Sequence, residues 1–135
     1  MKLTFDANNT KVYDNILDQQ QFNKVFDFMN YVPMVHKRSH GEWNRVWGFG
    51  DGEILMANRY IWPRNKVREF REPEDCLTPF FKFVNQQIEE SGLWSEEEKN
   101  DITTIVMTPY IWPPGSGLSW HNDSNYLGAF TFYAH

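Results

Sequence analysis

The change of character after Asp101 constrains this chain more than any other feature. Before it, apolar residues recur with helical spacing in two stretches. After it, Ile102 to Trp112 is dense in β-branched and aromatic residues, which favour strands. Pro113-Pro114-Gly115-Ser116-Gly117 then forces a loop. Leu118 to Asp123 and Gly128 to Tyr133 read as two more strands, with Ser124-Asn125-Tyr126 between them. Helices followed by strands predict an α+β domain in which helices buttress a sheet. The last predicted strand reaches the end of the chain, so its open edge calls for cover from further strands or from another chain.

The helical part is punctuated clearly. Asp18 followed by Gln21 reads as a capping box, the carboxylate meeting free N–H groups while the amide reaches back. Behind it Phe22, Val25, Phe26 and Met29 recur at i, i+3, i+4 and i+7, the stripe of a helix lying on an apolar surface, and Pro33 ends it. A second helix is predicted to begin near Thr78-Pro79, with Thr78 as cap and proline at the first helical position. Its apolar face is Leu77, Phe80, Phe81, Val84 and Ile88, and Gly92 is its stop. Ser95 to Asn100 reads as one more helical turn. Residues 1–13 alternate weakly and predict a peripheral strand, and Gly50-Asp51-Gly52 predicts a tight turn. Pro63 to Pro73 reads as a charged connector.

At 135 residues the chain is expected to form a single domain, 1–135, in which 1–100 is a helical and mixed support and 101–135 holds the first strands of the main sheet. Aromatic residues make up 17 %, which supplies a core with much buried area per side chain. The net charge of −5, with no basic tract, argues against nucleic-acid binding. Basic residues at Arg64, Lys66, Arg68 and Arg71, and acidic ones at Glu96 to Glu98, are short clusters expected on solvated loops. Cys76 is alone, which rules out an internal disulfide and predicts a buried structural thiol. No apolar run approaches the roughly 18 residues of a membrane span, and the N-terminus has no signal-peptide core. The expectation is a soluble, cytoplasmic protein.

One motif carries metal chemistry. His121 and Asp123 are two residues apart, and on an extended strand side chains two apart project from the same face. Such a pair can grip one metal ion, as in the 2-His-1-carboxylate triad of non-haem Fe(II) sites. His36 and His40 have ligand spacing only on a helix, which Pro33 and Gly41 oppose. Pro114-Gly115-Ser116-Gly117 has neither the lysine nor the following helix of a phosphate loop. Trp112 and Trp120 flank that loop, either as core or as pocket walls.

Residues 101–135 resemble the Fe(II)/2-oxoglutarate-dependent oxygenases, in the prolyl 4-hydroxylase-like branch. The matching pieces are Tyr110, Gly115 and Gly117, His121 with Asp123, and Phe132-Tyr133-Ala134-His135. The loop from Tyr110 to His121 is slightly longer than the usual pattern, and His135 stands where that family commonly has asparagine. The resemblance implies part of a double-stranded β-helix, a jelly roll, in which His121 and Asp123 ligate Fe(II). Tyr133 and Tyr110 would donate hydrogen bonds to 2-oxoglutarate. It implies oxidation of a C–H bond in a small-molecule or peptidyl substrate, with O₂ consumed and succinate and CO₂ released. The distal histidine and the basic residue for the far carboxylate lie further downstream in that family, so the sequence is expected to be a truncated chain, inactive alone.

A second expectation belongs to another class. A non-catalytic β-sandwich module with an open sheet edge would pair that edge with another chain, as a homodimer or with a completing polypeptide.

Overall fold

A computed structural model describes residues 1–37, 54–66, 68–113 and 126–133. The architecture is mixed helix and sheet, with small sheets, none of them closed among the described residues. The chain divides into two compact units, residues 1–31, 62–105 and 130–135 in one and residues 32–61 and 106–129 in the other.

The first unit opens with a hairpin rather than a single strand. Strands β1 (Lys2–Ala7) and β2 (Thr10–Asp14) pair antiparallel, with Ala7 opposite Thr10. The two residues between, Asn8 and Asn9, have φ of 53° and 58°. Positive φ at both central positions is what a two-residue hairpin loop demands, and asparagine tolerates it better than most residues. Helix α1 (Gln19–Tyr31) begins with the expected capping box: the Gln21 N–H donates to Asp18 Oδ1 (2.8 Å), and the Asp18 N–H donates to Gln21 Oε1 (2.9 Å). Its stripe is rotated from the expected one. Val25 and Phe28 are buried, with Phe22 and Met29 half-buried, while Phe26 is 59 % exposed.

Helix α2 (Thr78–Glu90) buries the whole expected face, Leu77, Phe80, Phe81, Val84 and Ile88. Thr78 is not its cap. A 3₁₀ turn over Glu74–Leu77 runs straight into the helix, and the Thr78 N–H already donates to the Asp75 carbonyl. A side-chain cap has nothing left to satisfy there. Both α1 and α2 pack on this turn, which places Cys76 in the core. Gly92, at φ +74°, follows the α2 C-cap as expected. The short helix α3 (Glu96–Asp101) carries a capping box of its own between Ser95 and Glu98.

Aromatic rings close the core of this unit. Trp62 and Phe70 both stack on Phe81, at centroid distances of 5.2 and 5.4 Å. Near the end of the chain, Phe132 lies 4.5 Å from Phe80, and Phe130 lies 6.0 Å from Trp94. Gly128 to Tyr133 is therefore not the expected strand. Its phenylalanines dock on α2 and on the segment after it, and its backbone joins no sheet among the described residues.

The second unit holds an antiparallel sheet of β3 (Met34–Lys37), β4 (Ile54–Ala57) and β7 (Tyr110–Ile111), in the order β3-β4-β7. Met34 faces Ala57 and Met56 faces Tyr110. A further pair is formed by β5 (Tyr60–Pro63) and β6 (Thr104–Met107). The single strand expected over Ile102 to Trp112 is thus two short ones, because Pro109 has no N–H for a ladder. Its carbonyl instead accepts from the Ala57 N–H at 3.0 Å. The expected turn at Gly50-Asp51-Gly52 and the strand Leu118 to Asp123 lie outside the described residues. No helix among the described residues is long and apolar enough to cross a membrane.

Candidate functional site

Of the four residues nominated from the sequence, the structure describes two. Tyr110 sits on β7 in the second unit, and Tyr133 lies past Phe132 in the first, with 81 % of its surface exposed. The structure therefore does not give Tyr133 the strand position expected of it. His121 and Asp123, the nominated metal pair, fall outside the described residues, as do His135 and His40. His36 lies on β3, a strand, where helical ligand spacing does not apply. Among the described residues, no three His, Cys, Asp or Glu side chains gather as a metal site.

Tyr110 has a built environment. It is placed by the β4–β7 ladder opposite Met56, with the Trp112 ring 6.3 Å away. Burial pushes its phenol above the ordinary value of 10.0, and Tyr126 adds to this. A hydrogen bond with the Thr108 side chain and the charge of Arg59 pull the other way without cancelling it. The phenol is protonated at neutral pH, as tyrosines ordinarily are, and is a neutral donor that feels the charge of Arg59. That donor set fits a carboxylate, which accepts from O–H groups and favours nearby positive charge. The sequence nominated Tyr110 alone. Thr108 lies two residues before it, across Pro109, while Arg59 and Tyr126 are far along the chain and left no local signal.

A second polar centre was missed altogether. Arg64, expected on a solvated loop, has only 11 % of its side chain exposed. Its Nε donates to Asn85 Oδ1 at 2.8 Å, and Nη1 donates to the carbonyls of Lys99 and Ile102, both at 2.8 Å. Nη2 pairs with the Glu89 carboxylate. One guanidinium thereby ties α2 to the end of α3, using the fork geometry that lysine lacks. A shallow groove of about 340 Å³ opens over this clasp, lined by Arg64, Glu89, Glu96, Lys99 and Asn100. Nothing in the spacing of the sequence distinguishes Arg64 from its basic neighbours, since the partners lie 21 to 38 residues away.

Compared with protein-family models, with curated proteins and with solved structures, this chain matches none.

Proposed function

We propose that this chain contributes to an Fe(II)/2-oxoglutarate-dependent oxygenase of the prolyl 4-hydroxylase-like kind, built on a jelly-roll sheet of which β6 and β7 are early strands. The observation that carries the reading is an order of residues: Tyr110 on β7, a Pro/Gly loop, then His121 and Asp123 two apart. His121 and Asp123 hold the metal. Tyr110, a half-buried and neutral phenol with the Trp112 ring 6.3 Å away, donates to a carboxylate oxygen of 2-oxoglutarate. Tyr133 is the lesser candidate for that donor role, since its exposure leaves it hydrated. Fe(II) with 2-oxoglutarate and O₂ supplies the oxidising power to hydroxylate a C–H bond, with succinate and CO₂ as co-products. The substrate is a small molecule or a peptidyl side chain, and a lone cysteine suits a reducing, cytoplasmic setting. The test is an anaerobic titration with Fe(II) and 2-oxoglutarate, followed by the visible charge-transfer band that needs both. Asp123→Ala is expected to weaken Fe(II) binding by roughly 100-fold or more, beyond the loss seen for outer-shell changes. Unchanged iron affinity in that variant overturns the assignment.

A second reading, an assembly module that pairs a sheet edge with another chain, is favoured by β1. All six of its residues are exposed, and Leu3 and Phe5 present apolar surface at 46 % and 50 % exposure. Under this reading the protein sediments as a dimer, and Leu3→Lys with Phe5→Lys returns it to a monomer of unchanged thermal stability. A monomeric parent protein removes the reading.

A further inference from the structure

Helix α2 presents two faces. The apolar one is buried, and Thr78, Lys82 and Asn85, spaced i, i+4 and i+7, share another. This second face lines a cleft of about 630 Å³ within the first unit, together with Lys66, Arg68 and Glu69. A cleft of this volume lies within the usual range for a small-molecule site.

Its chemistry is one-sided. Lys66 and Lys82 make no ion pair among the described residues, and Glu69 is the single acidic group among those lining the cleft. Arg64 also reaches the cleft, but its charge is already met by Glu89. The Arg64 clasp has a consequence for Asn85. Because the Asn85 carbonyl oxygen accepts from Arg64 Nε, the amide is held in one orientation, and its NH₂ group remains as the donor end. The Arg68 guanidinium lies 5.0 Å from the centre of the Phe70 ring. Two ammonium groups, an amide NH₂ and the Thr78 hydroxyl thus border one cleft.

We propose that this cleft binds a phosphate-bearing ligand. A phosphate offers three acceptor oxygens and nearly two charges, and it can meet two ammonium groups, an amide and a hydroxyl together better than a planar carboxylate does. The site is independent of the Tyr110 environment, which belongs to the other unit.

The experiment is a titration of the protein with inorganic phosphate and with pyrophosphate, followed by amide chemical shifts, with acetate and succinate as carboxylate probes. Saturable shifts confined to residues 64–70 and 78–85 are expected, with pyrophosphate the tighter of the two. Lys82→Glu and Lys66→Glu are each expected to weaken binding roughly tenfold, the loss of one charge-assisted contact. Lys2→Glu, the same change of net charge on β1, is expected to leave it within about twofold. Both lysines in the cleft are exposed, so their replacement spares the core. Equal losses for Lys2→Glu and Lys82→Glu, shifts spread over the surface, or carboxylates binding as tightly as phosphate would each overturn the proposal.

Discussion

Arg64 is a cation with little water around it and four protein partners in its place. Removing the guanidinium leaves the Lys99 and Ile102 carbonyls without their donor and Glu89 without its counter-charge. Arg64→Met is expected to cost about 2–4 kcal/mol, read as a shift of the urea midpoint. Arg64→Lys restores only part of this, because a point charge on a flexible stem cannot reach two carbonyls and two side chains at once. Cys76 makes the opposite demand, for neutrality. Burial first, then the charge of Asp75, pushes its thiol from 9.0 up to about 11. Between those values the unfolded chain has lost the thiol proton that the folded chain keeps, so stability falls as pH rises through the window. Cys76→Ala is expected to flatten that fall by about 2–3 kcal/mol between pH 9 and 11, seen as the difference between two denaturation series.

Among the elements, α2 carries the core. Phe81 is wholly buried and is the ring on which Trp62 and Phe70 stack, so Phe81→Ala is expected to cost about 3–5 kcal/mol. Phe26→Ala, on the outer side of α1, is expected to stay within about 0.5 kcal/mol, and the same thermal melts compare the two. This contrast also measures how far local pattern reaches. The Asp18–Gln21 box, the buried face of α2 and the stop at Gly92 are all properties of a few neighbouring residues, and each was legible in the sequence. Phe26 and Phe28 are equally apolar, and which of them turns inward is decided by what α1 lies upon. The hairpin at Asn8-Asn9 was missed because neither residue is glycine. The segment after Gly128 was misread because aromatic alternation describes a strand and a docked, extended tail equally well.

At the scale of the whole molecule, long-range partners set what the sequence cannot announce. Tyr110 could be nominated from its place before a Pro/Gly loop, whereas the burial that raises its phenol and the Arg59 charge, 51 positions distant, that opposes it are set by the fold. The phosphate cleft became visible only once a helix face and a loop were brought together, since neither is distinctive alone. The hairpin illustrates the same dependence in reverse. Gln87 is the buried polar residue among the described residues of the core, and the Tyr13 hydroxyl donates to its side-chain oxygen across 74 positions. Tyr13 also sets its ring edge-on to Phe83. The first fourteen residues, largely exposed, therefore act through Tyr13 as a stopper over a buried amide. A version of this protein trimmed to begin at α1 would uncover that amide in an apolar wall, and a shortening that keeps the hairpin leaves it covered.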